Sequence, residues 1–156
     1  MPAIAINKRA RFDYEILETF EAGLVLTGSE VKAIKNNQIS LKGAYATLRV
    51  NEKTKKAEAW LVKAHISPYQ PANAAADYNP EQPRKLLLNR KEINSLIGKL
   101  QTKGLTLLPL KVYTKQAKIK LEIGIGRGKK KADKREAIKQ REQKREISQI
   151  MKIKRG

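Results

Sequence analysis

The segment KIKLEIGI, residues 118–125, has the most regular strand pattern in this chain. Its apolar side chains Ile119, Leu121, Ile123 and Ile125 alternate with polar or small ones. A period of two is typical of a strand that buries one face and exposes the other. This strand is therefore the starting point from which the rest of the fold is predicted.

Similar but shorter patterns predict further strands on the N-terminal side of this segment. They lie at residues 12–17, 24–26, 45–50, 57–62, 84–88 and 105–112. The strands 45–50 and 57–62 flank a lysine-rich turn, which predicts a hairpin. Pro109 interrupts the last of these strands and cannot donate a ladder hydrogen bond, so we expect an edge or a bulge there.

Two helices are predicted between these strands. The shorter helix opens at Gly28 with Thr27 or Ser29 as its N-cap. The longer one has Asn89 as N-cap candidate and Glu92 three residues later, the spacing of a capping box. Its apolar residues then follow at helical spacing, at Ile93, Leu96, Ile97 and Leu100.

This order of elements predicts a mainly β protein. Six or so short strands with two helices favour a small β-barrel of the oligonucleotide-binding type, flanked by helices. We assign the barrel to residues 1–127 and a basic C-terminal tail to residues 128–156. Closing the strands into a barrel would also leave no free sheet edge.

Charge is the strongest indication of a partner. The 156-residue chain has a formal net charge of +19. Residues 128–156 contain twelve Lys or Arg and four Asp or Glu, a net +8, which leaves +11 on residues 1–127. Charge of this size predicts a nucleic-acid partner for both parts. The tail has too few apolar residues to fold alone, so we expect it to be disordered or a frayed helix until a polyanion neutralises it.

The body carries its own basic patch before the first predicted strand. Lys8 and Arg9 belong to it, and we expect them to contact RNA. Few aromatic side chains are available for stacking on bases. This favours recognition of a folded RNA by its shape and phosphates over single-strand recognition.

Several classes of protein are excluded by what the sequence lacks. It has no cysteine, and His65 is its one histidine, so no disulfide, zinc site or thiol chemistry is expected. An RNA-processing enzyme would need an acid, base, metal or cofactor constellation, and none is visible. We therefore predict a binding protein with no cofactor and no small-molecule substrate. The absence of a signal peptide or a long apolar segment predicts a cytoplasmic protein that does not enter membranes.

A glycine-rich stretch at residues 124–128 superficially resembles a phosphate loop. It lacks the lysine and the helix spacing of that motif. We expect instead that the strand unwinds here, and that its glycines let the tail leave at a variable angle.

Six short stretches together resemble a known family. They are NKRAR at 7–11, FEAGL at 20–24, GSEVK at 28–32, RKLLLN at 84–89, GKK at 128–130 and DKRE at 133–136. This combination resembles the SsrA-binding protein family, small protein B, the protein partner of transfer-messenger RNA. The resemblance extends from about residue 7 to the end of the chain.

The resemblance implies a function in ribosome rescue by trans-translation. The barrel would bind the tRNA-like domain of transfer-messenger RNA and stand in for its missing anticodon arm. The tail would enter the empty mRNA channel of a stalled ribosome, near the decoding centre, and become helical on the small-subunit rRNA. Elongation factor Tu would be a further partner on the same RNA. The alternative is a ribosomal protein or ribosome assembly factor that binds structured rRNA.

The resemblance also implies which residues make these contacts. The RNA-binding positions of the family match Asn7, Glu21, Leu87, Asn89 and Lys120. The tail motif matches Gly128, Lys129, Lys130, Asp133, Lys134 and Arg135. Ala132 occupies a position at which many family members have an aromatic residue or a histidine. A stacking role for that position is therefore not expected in this chain. A carboxylate repels phosphate, so Glu21 would accept hydrogen bonds from base amino or ribose hydroxyl groups. For Asn89 there is an alternative to RNA contact, because it is also the N-cap candidate of the longer helix, and it could serve both roles.

Overall fold

Seven strands form one antiparallel sheet in the computed structural model, which describes residues 3–129. The sheet order is β1 (Ala3–Ile6), β8 (Leu105–Lys115), β9 (Lys118–Gly128), β2 (Tyr14–Leu24), β7 (Arg84–Leu87), β5 (Ala57–Val62) and β4 (Tyr45–Val50). Two short strands, β3 (Ile39–Ser40) and β6 (His65–Ile66), pair separately. The helices are α1 (Lys8–Asp13), α2 (Gly28–Lys35) and α3 (Arg90–Leu100). The predicted mainly β class with flanking helices is confirmed.

The sheet is not closed into a barrel, which corrects the predicted closure. Within residues 3–129 no ladder joins the edge strands β1 and β4. The sheet curls so that β4 approaches β8 without pairing with it. Helix α2 and the β3–β6 ladder contribute Ile34 and Ile66 to the core. Alternation along a strand shows which residues face inward, but closure depends on the tilt and stagger of all strands together.

The core lies on the concave face of the sheet. The apolar side chains of residues 118–125 are buried there, with Leu121 and Ile123 fully inaccessible. Leu96 from α3 and Ile34 from α2 pack against them. The pattern that predicted β9 therefore also identified the centre of the core.

Several predicted elements are confirmed closely. The hairpin strands β4 and β5 have the predicted bounds. Both helices begin with a complete capping box, Thr27 with Glu30 in α2 and Asn89 with Glu92 in α3. The register of β8 shifts after Pro109, so the predicted bulge is present, in a strand paired on both sides.

The N-terminal region differs from its prediction. Residues 8–13 form the short helix α1, where the sequence suggested a patch and the start of a strand. In place of the strands predicted at 12–17 and 24–26 there is one strand of 11 residues, β2, which ends at Leu24 and leaves residues 25 and 26 outside it. Helix α1 buries only Ala10, so it leaves no apolar periodicity for the sequence to reveal.

A buried ion pair fixes α2 to β7. Glu30 and Arg84 are 3% and 2% exposed, and Arg84 reaches Oε2 of Glu30 at 2.6 and 2.8 Å. Burial opposes the charge of Glu30, but the Thr27 N–H and the Arg84 guanidinium more than offset it and lower the pKa of Glu30. Arg84 also donates to the carbonyls of Ala64 and Pro80 at 2.7 and 2.8 Å. The pair thus ties down the proline-rich loop 67–83 and links two of the stretches that carry the family resemblance.

Candidate nucleic-acid interface

The convex face of the sheet brings three of the predicted RNA-binding residues together. The strand register places Leu87, Gly23, Lys120 and Tyr113 in one row across β7, β2, β9 and β8. Side chains paired in this way lie on the same face of a sheet. Leu87 is 53% exposed, a large apolar side chain left facing solvent. Gly23 beside it has no side chain, and an added Cβ would lie 3.3 Å from that of Leu87.

Glu21 lies on the same face, two residues before Gly23. The hydroxyl of Tyr113 donates a hydrogen bond to its carboxylate, and Lys115 Nζ lies 3.4 Å from both of its oxygens. The hydrogen bond from Tyr113, with Lys115 and Lys120 nearby, holds the pKa of Glu21 below its usual value. Burial and this same bond raise the pKa of Tyr113. An ionised carboxylate therefore faces solvent beside this row of predicted contacts.

A second carboxylate, Glu122, pairs directly with Glu21 in the β2–β9 ladder. Two cations neutralise it: Lys111 lies 3.3 Å away and Arg11 lies 3.4 Å away. Because Arg11 belongs to α1, this contact joins the N-terminal helix to the exposed face. Like charges facing each other across strands are unfavourable, so these cations make the pairing tolerable.

Asn7 has a structural role that is visible in the geometry. Its side-chain oxygen accepts from Ala10 N–H at 3.2 Å and so caps α1, while its amide donates to the Pro109 carbonyl at 2.9 Å. Lys8 and Arg9 follow it and are exposed. Asn7 thus holds the start of α1 against β8 and presents these two cations to solvent.

Helix α1 packs on leucines of β8, and glycines of β9 make room for those leucines. An added Cβ at Gly124 would lie 2.8 Å from Leu110 Cδ1, and one at Gly126 would lie 2.9 Å from Leu108 Cδ1. Those two leucines form a small apolar cluster with Ala10 of the helix. The expectation that the strand unwinds at these glycines is wrong, since β9 continues to Gly128. They make room for a helix on the convex face.

Asn89 and the first tail positions lie at opposite borders of this face. Asn89 is exposed, and its side chain accepts from Glu92 N–H at 2.8 Å. At the other border β9 ends at Gly128, and Lys129 donates to the carbonyls of Asp13 and Arg11 at 2.9 and 3.1 Å. The remaining tail predictions, Lys130, Asp133, Lys134 and Arg135, lie outside the described residues.

Cations are spread over the convex face and α1, and Lys115 and Lys120 are the ones that act on the Glu21 carboxylate. The cations named above are Lys8, Arg9, Arg11, Lys111, Lys115, Lys120 and Lys129. Lys8, Arg9, Arg11 and Lys129 line a shallow depression together with Phe12. Such a surface can hold phosphates through the lysines and arginines, while the carboxylate accepts from neutral donors of the same RNA.

No group of three His, Cys, Asp or Glu within residues 3–129 could hold a metal ion. His65 is exposed at the start of the short strand β6, 3.9 Å from Glu81. Over the same residues, none of the helices has the length and hydropathy needed to cross a membrane.

Sequence reasoning missed Tyr113 and Glu122 as members of this surface, and it included Arg11 only as part of the basic patch before the first strand. A partial indication was present, because Lys111, Tyr113 and Lys115 alternate with less polar residues along β8. That alternation places them on one face of a strand. It does not reveal that only β9 separates this strand from β2 in the sheet. The contact between Tyr113 and Glu21, which are 92 residues apart, could therefore not be predicted from the sequence.

Comparison with known proteins agrees with this arrangement. The family model described as SmpB protein matches residues 4–153. The SsrA-binding protein of Gloeothece citriformis (strain PCC 7424) is 50% identical over 149 residues, which cover 96% of this chain and 92% of that protein. The SsrA-binding protein of Thermosynechococcus vestitus (strain NIES-2133 / IAM M-273 / BP-1) is 48% identical over 146 residues, covering 94% and 92%.

A solved structure supports the same assignment. A chain of the structure described as "tmRNA-SmpB: a journey to the center of the bacterial ribosome" is 40% identical and superposes with a TM-score of 0.62. The match covers 85% of this chain and 92% of that one. Because the family model and the relatives match nearly its whole length, this chain belongs to the SmpB protein family.

Proposed function

We propose that this protein binds the tRNA-like domain of transfer-messenger RNA and delivers it to stalled ribosomes for trans-translation. The observation that carries the proposal is the convergence of Glu21, Leu87 and Lys120 on one exposed, cation-rich face. These three residues lie far apart in the sequence. Relatives that match over nearly the whole chain are SsrA-binding proteins, which supports RNA as the ligand of this face.

The proposed interface is the convex face of the sheet with its two borders. Glu21, Leu87 and Lys120 form its centre, with Lys8 and Arg9 of α1 at one side and Asn89 at the other. Asn7 contributes by holding α1 in place. The protein acts here as a binding partner and not as an enzyme, in the cytoplasm, with elongation factor Tu as a further partner on the same RNA.

The tail has a separate task in this proposal. Residues 128–156, with a net charge of +8, would occupy the empty mRNA channel and become helical on small-subunit rRNA. Neutralising the lysines removes the repulsion that opposes helix formation in a segment of good helix formers. Gly128 and Lys129 would join this tail to the body, because Lys129 hydrogen-bonds α1.

Capture of the bound RNA tests the proposed partner. The full-length protein is recovered from cells, washed at moderately high salt to remove loose polyanion contacts, and its RNA is sequenced. We expect one dominant species, transfer-messenger RNA. Recovery of ribosomal RNA without that species would favour a ribosomal protein or assembly factor.

Deletion of residues 130–156 tests whether the body binds the RNA while the tail acts only on the ribosome. The truncated protein should bind transfer-messenger RNA about as well as the full chain, because the convex face is unchanged. It should fail to support tagging of peptides on stalled ribosomes. Loss of RNA binding on truncation would show that the body alone is not the binding domain.

A further inference from the structure

Tyr113 lies at one end of the row on the convex face and bridges two strands. Its hydroxyl passes over β9 and donates to Oε2 of Glu21 on β2. Lys111 Nζ lies 5.7 Å from the centroid of the Tyr113 ring on the same face. The side chain therefore links β8 to the carboxylate at the centre of the predicted RNA contacts.

An exposed glutamate without such a partner would sample many rotamers. Ordering a long, flexible side chain on binding costs conformational entropy, which weakens the complex. A tyrosine ring has only two side-chain torsions, and it can hold a partner with little entropy loss of its own. Tyr113 is partly buried on a long, doubly paired strand, so its hydroxyl is a fixed point.

We propose that Tyr113 is a positioning residue that aims the Glu21 carboxylate at a neutral hydrogen-bond donor of the bound RNA, a base amino group or a ribose hydroxyl. The inference rests on the proposed function, because it takes Glu21 as an RNA contact. Tyr113 occupies Oε2 of the carboxylate. Oε1, with only Lys115 Nζ at 3.4 Å among the described contacts, is the oxygen left to accept from RNA.

The charges around the carboxylate define what it can bind. Tyr113 and Lys115 face it from β8, and Lys120 and Glu122 face it from β9. The net effect of these groups favours the ionised form, which accepts hydrogen bonds and donates none. An ionised carboxylate repels phosphate, so its RNA partner must be a donor group. Glu21 therefore contributes specificity, while the neighbouring lysines contribute attraction to phosphate.

The first test compares two tyrosine variants of the full-length protein. Tyr113→Phe removes only the hydroxyl, and Tyr45→Phe is the matched control on the edge strand β4. We expect Tyr113→Phe to weaken binding to transfer-messenger RNA about fivefold, the usual effect of one lost hydrogen bond. Its dependence on salt should match that of the wild type, and Tyr45→Phe should bind like the wild type. Equal affinity of the two variants would overturn the proposal.

A double variant distinguishes positioning from direct contact. If Tyr113 acts through Glu21, then Tyr113→Phe should cause no further loss in a Glu21→Ala background. If the two losses simply add, Tyr113 acts independently of Glu21 and the positioning role is overturned.

A titration without RNA tests the hydrogen bond itself. Carboxyl NMR of the wild type and of Tyr113→Phe should show the pKa of Glu21 rising toward its usual value in the variant. An unchanged pKa would overturn the proposal, and the spectra also show whether the variant is folded.

The wild-type protein separates this inference from the proposed function. It should prefer transfer-messenger RNA to a ribosomal RNA fragment of equal length at the same salt concentration. Failure of that preference overturns the proposed function and this inference together. A wild-type preference that Tyr113→Phe keeps in full overturns the positioning role alone.

Discussion

At the scale of single residues, Glu21 and Lys120 are neighbours on the convex face with opposite charges. The proposed function gives them different tasks, acceptance from a neutral donor and attraction to phosphate. Their substitution should therefore affect different properties of RNA binding, even though both lower affinity.

We expect Glu21→Ala to weaken binding to transfer-messenger RNA without changing its salt dependence. Lys120→Ala should instead reduce the slope of log affinity against log salt by about one, because one phosphate contact is lost. Filter binding of both variants between low and moderate salt measures the two slopes. A reduced slope for Glu21→Ala would show that the carboxylate acts on the phosphate field and not on a donor group.

Glu30 is the second residue whose substitution has a measurable effect, in this case on the free energy of unfolding. Glu30→Gln keeps a side chain able to complete the capping box but removes the charge that Arg84 needs. Leaving that guanidinium buried without its partner should cost about 3 kcal/mol in free energy of unfolding at neutral pH. The control is Glu58→Gln, whose partner Lys85 is partly exposed, and whose cost should be much smaller.

The difference in free energy of unfolding between wild type and Glu30→Gln should depend on pH. The folded state lowers the pKa of Glu30 below its ordinary value of 4.5, so the ion pair stabilises the fold fully above that pH. As the pH falls through the lowered folded-state pKa, the wild type loses this contribution and the two proteins converge. Urea unfolding at several pH values measures this difference. A difference that persists into strong acid would contradict the role of the Glu30–Arg84 ion pair.

At the scale of elements, α1 packs on Leu108 and Leu110 of β8, and these leucines need the absence of side chains at glycines of β9. Gly126→Ala would place a Cβ 2.9 Å from Leu108 Cδ1 and 3.1 Å from Tyr14 Cβ. We expect it to lower the free energy of unfolding by about 1–3 kcal/mol and to weaken RNA binding by displacing α1. Gly98→Ala in α3 meets nothing within 4 Å and should stabilise the fold by up to about 1 kcal/mol. Equal effects of both changes would exclude packing under α1 as the reason for Gly126.

The start of α3 tests whether Asn89 is a cap, an RNA contact or both. Aspartate caps helices as well as asparagine does, but it lacks the amide donor and adds a negative charge. Asn89→Asp should therefore leave stability unchanged and weaken RNA binding if Asn89 contacts RNA. Asn89→Ala should cost about 1 kcal/mol of stability in either case. Unaltered RNA binding by Asn89→Asp would leave the cap as its only role.

Local chemistry in the sequence was enough to predict the elements that it controls. The capping box of α3, an N-cap candidate for α2 at Thr27, the hairpin of β4 and β5, and the alternation of residues 118–125 follow from neighbours a few residues apart. Helix α1 was missed because its N-cap Asn7 and its one buried residue, Ala10, make a pattern too short to recognise. Its stability comes from β8 and β9, which lie about a hundred residues further along the chain.

At the scale of the whole molecule, the features that could not be predicted from the sequence depend on contacts between residues far apart in the chain. Glu30 and Arg84 are 54 residues apart, and no local pattern indicates that they meet. The open sheet has the same cause, since the relative tilt of β1 and β4 is a property of all seven strands. The site was only partly predictable for this reason. The family resemblance indicated Glu21, and the strand order then supplied Tyr113 as its partner.

The arrangement of the sheet predicts a gradient of local stability across the molecule. Strands β2, β8 and β9 are long, β9 pairs with both of the others, and together they support the proposed RNA surface. The β3–β6 ladder has two residue pairs, and loop 67–83 is tied down mainly through Tyr78 and Arg84. Elements with few buried contacts open at lower free energy than the core does.

Native-state hydrogen exchange should therefore show β9 amides, such as those of Leu121 and Ile123, exchanging only through global unfolding. Amides of β3, β6 and loop 67–83 should exchange earlier, through local opening. Glu30→Gln should accelerate exchange in loop 67–83 beyond its effect on global stability, because it loosens the Arg84 contacts that hold the loop. Mass spectrometry of exchanged peptides resolves these regions. If β3 and β6 were as protected as β9, the molecule would open as one unit, and the convex face could not stay rigid while the loop moves.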